Sequence, residues 1–383
     1  MPSSATNTAT ILVFVALPEE HDRLLEWFPP HETISDPEHV FIEHDIQVDG
    51  FRMVSVLAKG MGIDNAYDAT QAGISRFAPD LVVCIGIAGS LTSDLKIGDV
   101  GVCSEVIDVS QNMKITEVKP NRRRRPTKPG KAPRQAPPRT VIELSPKTLM
   151  VPPELSASFR FLRSHPTLKT DLAAWADQAT LRREKQIGRI GGAGLDNELS
   201  QTPTAEIGSI ISGPVVASGA FKEALKKIDR KVLSVETESS GVFRAAVNAK
   251  VPCITIRGIS DHADINKNAL ERTTKQAARQ LAADNAITYL ALQLRNPTFM
   301  RIAASHLEEA GQPQLFQPND SEPDKVLAKI AADLDSYLEK MSPEYKHRPN
   351  SANLPIPRIS RDVIDDDIED LEAKIPKAIF DAL

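Results

Sequence analysis

Along this chain, continuous apolar runs alternate with segments in which apolar residues recur every three to four positions. Three runs, ILVFVAL (11–17), DLVVCIGIAG (80–89) and PCITIRGIS (252–260), are unbroken. That is the pattern of strands in a sheet covered on both faces. Helical periodicity appears in EEHDRLLEWF after the first run, in NAYDATQAGISRF (65–77) before the second, and in ALERTTKQAARQLAADNAITYLALQL (269–294) after the third. In the last of these, Ala278, Ala282, Ala286 and Leu290 follow one another at four-residue steps and define one face to bury. Strands alternating with helices predict a layered α/β fold.

Elsewhere the pattern breaks. Residues 119–140, KPNRRRRPTKPGKAPRQAPPRT and its edge, are rich in proline and basic side chains and have too little apolar surface to offset the entropy of ordering. They read as a flexible basic insertion. LKTDLAAWADQATLRREKQ (168–186) is helical, IGGAGLDNE reads as a turn because it matches neither a P-loop nor a dinucleotide fingerprint, and α/β patterning resumes near Ile210. Residues 296–383 mix amphipathic pieces with a Pro/Asn-containing linker and end in an acidic stretch, and are expected to form an appended helical tail. The predicted organisation is an α/β core over 9–295, interrupted by the basic insertion, followed by that tail.

The chain has 383 residues, 41% hydrophobic and 25% charged, enough for a substantial core. Its formal net charge of −5 offers no overall attraction for nucleic acid or membrane, so a small molecule or a protein is the expected partner. The arginine run Arg122–Arg125 lacks interleaved aromatics, and nucleic acid is not expected there either. Cys84, Cys103 and Cys253 each sit in an apolar run and read as buried, reduced thiols, a cytosolic pattern. The N-terminal apolar run is too short to span a membrane and has no basic flank, so a soluble cytoplasmic protein is expected. Eight histidines show no metal-binding spacing, and no metal or cofactor is implied.

Three groups of acids lie where strands end: Glu19 and Glu20, Glu236 and Glu238, and Asp261. Any one of them suits the start of a helix. Together they lie at the carboxyl ends of strands, where layered α/β folds bind ligands.

The segments VALPEEHDRL, AKGMGIDNAYDAT, PDLVVCIGIAGSLTSDLKIGDVGVCSEVIDV, GPVVASGAF, VLSVETES and VPCITIRGISDHAD come in an order that resembles the nucleoside phosphorylase and nucleosidase superfamily. The pattern is most similar to methylthioadenosine/adenosylhomocysteine nucleosidases and their nucleotide-cleaving relatives. It covers roughly 10–110 and 205–295. The resemblance implies a three-layer fold with a central mixed sheet flanked by helices, and cleavage of an N-glycosidic bond. It implies Asp261 as the acid toward the purine, Glu238 on the ribose hydroxyls, Glu20 on the attacking water, Phe221 stacked on the base, and Arg257 near water and acid. Gly86, Ile87 and Thr237 are expected at the substrate, although GIAGS and VETES depart from the family's GSAGG and VEMEA. Glu236 is expected to fix the turn.

Hydrolysis is favoured over phosphorolysis, because ALPEE sets two negative charges where an attacking phosphate would need donors. Lys114, Lys222 and Lys267 are candidates to meet a 5′-phosphate. RGISDHADINKN also resembles phosphorylase-like effector domains of immune systems, including ones that cut adenine from ATP. The reading is a homo-oligomeric purine nucleosidase or nucleotide nucleosidase, an adenine-nucleotide-depleting effector in defence whose tail meets a protein partner. Its rivals are a phosphorolytic enzyme and a catalytically silent nucleoside-sensing module.

Overall fold

The computed structural model describes residues 8–304 apart from 36–37, 47, 111–112, 119–138, 188–197, 214–219, 227, 230, 265–266 and 275. Nearly all of the basic insertion, the turn assigned to IGGAGLDNE and the acidic tail lie outside the described residues. The strands are β1 (Ala9–Val15), β2 (Pro30–Ser35), β3 (Val40–His44), β4 (Phe51–Leu57), β5 (Leu81–Ser90), β6 (Val100–Asp108), β7 (Met113–Val118), β8 (Arg139–Leu144), β9 (Lys147–Met150), β10 (Ala205–Ser212), β11 (Val232–Glu236) and β12 (Cys253–Asp261). The helices are α1 (Pro18–Trp27), α2 (Ile63–Phe77), α3 (Pro153–Ser164), α4 (Pro166–Ile187), α5 (Ala220–Leu225), α6 (Ser239–Ala249), α7 (Lys267–Thr274), α8 (Ala277–Gln293) and α9 (Pro297–Ala303).

The three unbroken apolar runs become β1, β5 and β12, which lie side by side and parallel at the centre of a mixed sheet ordered β11-β10-β6-β12-β5-β1-β4-β3-β2. Every residue of β1 and β12 is buried, as unbroken apolar patterning requires when helices cover both faces. β11 turns back and pairs antiparallel with the end of β5, placing Ser234 opposite Ser90 and Val235 opposite Gly89. Strands β5, β12, β6, β10 and β11 thus close on themselves, and the ends of β5, β11 and β12 converge. β7 and β8 form a separate two-stranded ladder.

Side chains alternate across β12. Thr255 bonds Ser239 of α6 at 2.9 Å, and Arg257 reaches Glu236 at the start of the same helix. Gly258 faces the opposite way, onto the backbone of α8 at Ala282. The three cysteines are buried and unpaired, and burial pushes the Cys84 and Cys103 thiols up to about 12.

Two boundaries differ from the sequence reading. The helix expected over 269–294 is two helices, broken at Gln276, whose φ of 67° is left-handed. α8 is also buried almost all round rather than on one face. The cause is α4, from the stretch outside the family-like segments, which docks on it. Fully buried Asp284 of α8 accepts bonds from Arg23 Nε (2.7 Å) and Trp27 Nε1 (3.1 Å) of α1 and from Gln186 Nε2 (2.6 Å) of α4. α3 and α4 bury Leu155, Phe159 and Trp175 in the core. The core does not stop at residue 295: Phe299 of α9 is fully buried and meets Phe159 edge-on at 5.6 Å. Among the described residues no helix is long and apolar enough to cross a membrane.

A Cβ at Gly258 would overlap the Ala282 carbonyl, which is backbone and has no rotamer to escape into. Gly258→Ala is therefore expected to destabilise the fold by about 3 kcal/mol. Urea titration followed by far-UV circular dichroism measures this, and an unchanged midpoint would mean that α8 can stand off from β12 without cost.

Candidate active site

Where β5, β11 and β12 converge with the start of α1, a cleft of ≈ 750 Å³, counted out to its open mouth, is lined by Glu20, Ile87, Thr237, Glu238, Asp261 and Lys267, among others. These are six of the positions singled out from the sequence. Gly86 and Arg257 lie behind that lining, with Arg257 1% exposed. Phe221 falls on α5 and Lys114 on β7, but their side chains are outside the described residues.

Glu20 occupies the third position of α1, where acids complement the helix N-terminus. Its Oε2 accepts from Leu17 N at 3.3 Å and its Oε1 from Ile87 N at 3.0 Å, so one carboxyl ties α1 to the GIAGS loop. Burial raises its pKa to about 7, the Glu238 charge adds to the rise, and Arg257, the Ile87 amide and Arg279 hold it back. This places Glu20 near the titration range of a neutral-pH general base. Gly86 permits the arrangement: a Cβ there would overlap Arg257 Nη1 and stand 3.0 Å from Glu20 Oε2.

The β11–α6 junction separates the two acids of VETES. Glu236 turns back on the chain, accepting from Glu238 N at 3.1 Å and Ser239 N at 2.9 Å, and so caps α6. It also takes an ion pair from Arg257 Nη2. Glu238 points into the cleft, where Oε1 accepts from the Thr237 hydroxyl and from Gly62 N at 3.3 Å, and Oε2 lies 3.5 Å from Arg257 Nη2. Burial raises the Glu238 pKa, with the neighbouring Glu236 charge adding and Arg257 opposing. Glu236 therefore does more than fix the turn, since it anchors the one arginine around which the acids gather.

Asp261 is held differently. The register of β12 against β5 shifts between Ile259 and Asp261, a bulge that re-aims the strand end beside the cleft. Asp261 Oδ1 accepts from Ala263 N at 2.8 Å, Oδ2 accepts from Ser260 Oγ at 2.9 Å, and Lys267 Nζ lies 3.4 Å from Oδ2. Lys222, by contrast, donates to the His262 carbonyl and braces this loop.

Arg279 of α8 also lines the cleft, and the sequence offered no sign of it because it reads as one more charge on a helix. Its Nη2 pairs with Glu19 at 2.7 Å and its Nη1 with Glu271 at 3.2 Å. Its Nε is buried without a hydrogen-bond partner among the described residues. Met61, 58% exposed at the cleft edge, was likewise not foreseen.

The chain is 27% identical over 231 residues to "ATP nucleosidase Cap17" of Escherichia coli (strain KTE188), covering 57% of this chain and 38% of that protein. It is 33% identical over 97 residues to a "Death domain-containing ATP nucleosidase" of Amphimedon queenslandica, covering 25% of this chain and 18% of that protein. The chain thus spans well under half the length of these relatives. Among solved structures, 5′-methylthioadenosine/S-adenosylhomocysteine nucleosidase of Neisseria meningitidis matches with a TM-score of 0.47 and 21% identity, over 74% of this chain and 97% of that one. Futalosine hydrolase of Helicobacter pylori strain 26695 matches with a TM-score of 0.48 and 22% identity, over 74% of this chain and 97% of that one. The family model described as "Phosphorylase superfamily" matches residues 10–293, most of the chain and every strand and helix that builds the cleft, and the chain belongs to that superfamily.

Proposed function

We propose that the cleft hydrolyses the N-glycosidic bond of a purine nucleoside or nucleotide, with an adenine nucleotide such as ATP as its substrate. The observation that carries this is the convergence of three differently held acids on one cleft: Glu20, Glu238 and Asp261. The printed names of the relatives, both ATP nucleosidases, support the choice of substrate.

Breaking the bond leaves positive charge on the sugar and sends the bonding pair to the base. Glu238 holds the ribose hydroxyls and sets negative charge beside the forming cation. Asp261 delivers a proton to the departing purine. Glu20 takes a proton from the water whose oxygen bonds to the anomeric carbon. Arg257 touches none of these atoms in this scheme; it neutralises Glu236 and steadies Glu238. Inorganic phosphate is a poor alternative nucleophile here, because Glu20 and Glu238 would repel it. A carboxyl inside a cleft whose pKa burial raises to about 7 favours a reacting site over a silent sensing module. Self-association, a cytoplasmic location, a defence role and a partner for residues 296–383 belong to the same proposal.

Asp261→Asn is expected to abolish base release while leaving nucleotide binding within about tenfold, since the proton matters chiefly in the transition state. Chromatographic detection of free base together with calorimetry checks both halves, and near-normal turnover removes Asp261 from its role. Free base should appear at the same rate in phosphate-free buffer, and a strict phosphate requirement with a sugar 1-phosphate product would make the enzyme a phosphorylase.

The base must be deprotonated to act, so kcat/KM should rise with pH through about 7, the value to which burial raises Glu20. The same shift acts on stability. Between 4.5 and about 7 the folded chain keeps a proton that the unfolded chain releases, so this group's contribution to folding is full below 4.5 and is lost as pH rises through 7. Glu20→Gln should therefore lose the rate while its thermal midpoint gains on the wild type between pH 5 and pH 8. Equal midpoint shifts at both pH values would place the Glu20 pKa elsewhere.

A further inference from the structure

Lys267 and Asp261 form an ion pair at the wall of the cleft, and the pairing bears on which substrates can be cut. Both oxygens of Asp261 have partners: Oδ1 the Ala263 amide, Oδ2 the Ser260 hydroxyl at 2.9 Å and the Lys267 ammonium at 3.4 Å. An ammonium group has donors and no acceptor. A proton carried on Oδ2 toward a purine nitrogen would therefore face another donor bearing a full positive charge. The Lys267 side chain is 29% exposed against 5% for Asp261, so the lysine is the partner with room to move. Its stem is flexible and its charge compact. Arg279, on the same lining, is paired with Glu19 and Glu271.

We infer that Lys267 is a specificity-determining residue that exchanges partners: it pairs with Asp261 and moves to the 5′-phosphate when a nucleotide binds, freeing Asp261 to serve the leaving base. This rests on the hydrolytic reading above and adds to it how phosphate is sensed. The 5′-phosphate of a nucleotide brings negative charge and several acceptor oxygens, and it competes for the ammonium against one carboxylate already served by a hydroxyl and an amide. A nucleoside has no such group, so it binds with Lys267 still on Asp261. Discrimination then falls on kcat, because contact energy from the distant phosphate is used at the reacting centre. A lysine that merely attracted phosphate would act on KM alone.

The experiment compares adenine release from ATP and from adenosine by the full chain and by Lys267→Met, with kcat and KM separated. The wild type should turn over ATP at least about tenfold faster than adenosine at saturation. In Lys267→Met the adenosine kcat should rise severalfold while kcat/KM for ATP falls by about tenfold, so that the preference collapses from both sides. Such a gain cannot come from a variant that has lost its fold. Lys267→Arg, which keeps a cation, should retain a preference for ATP. An adenosine kcat that stays level or drops in Lys267→Met, with wild-type adenine release intact, overturns the exchange and leaves the hydrolytic reading standing. No adenine from either compound in the wild type sinks the hydrolytic reading itself.

Discussion

The guanidinium of Arg257, 1% exposed, is the interaction on which the site depends. Its Nη2 meets Glu236, Glu238, Cys84 Sγ at 3.1 Å and Ser239 Oγ at 3.5 Å. Burial alone would push the Arg257 pKa down, but Cys84, Glu236, Glu238 and Glu20 around it raise it instead, so the cation is secure. A buried charge robbed of its partner costs about 3–5 kcal/mol. Arg257 and the acids therefore depend on one another, and Gly86 supplies the space in which they meet.

One cation does not balance three buried carboxylates, and the imbalance raises the proton affinity of two of them. Each acid keeps backbone donors of its own: Ile87 and Leu17 for Glu20, Gly62 for Glu238, Ser239 for Glu236. Those donors keep the cluster from expelling its charge, yet burial still raises Glu20 and Glu238. Asp261 stands apart, at the end of a bulged strand with a hydroxyl, an amide and a lysine. Different environments give like groups different roles.

The scaffold keeps these groups together by closing strands upon themselves and by stacking helices outside. β11 returns to β5 and sets Glu238, at the cap of α6, near the GIAGS end of β5. α1 carries Glu20 and is clamped to α8 and α4 through Asp284. α4 thus serves the site at a distance, because α1 bears on one side the groups that dock and on another the acid that faces the cleft.

Much of this was legible along the chain. Continuous apolar runs announced β1, β5 and β12, since a strand buried on both faces has no polar face to show. Acids placed just after apolar strand-like runs, VLSV among them, pointed to Glu20, Glu238 and Asp261, which the fold brings to one cleft, and the order of motifs announced the family. The burial of α8 on all sides and the inclusion of α9 in the core were not legible, because each depends on a neighbour remote in sequence; the helix break at Gln276 was not legible either. The same holds for the site's electrostatics. Arg279 reaches Glu19 across 260 residues, Arg257 selects Glu236 across 21, and β11 finds β5 only after the sheet has formed. The sequence by itself determined which residues can carry charge and which strands are buried on both faces. Only the tertiary structure decided which charges share a low-dielectric space, because burial and distance between side chains, not their identity, set the proton affinities that a reaction uses.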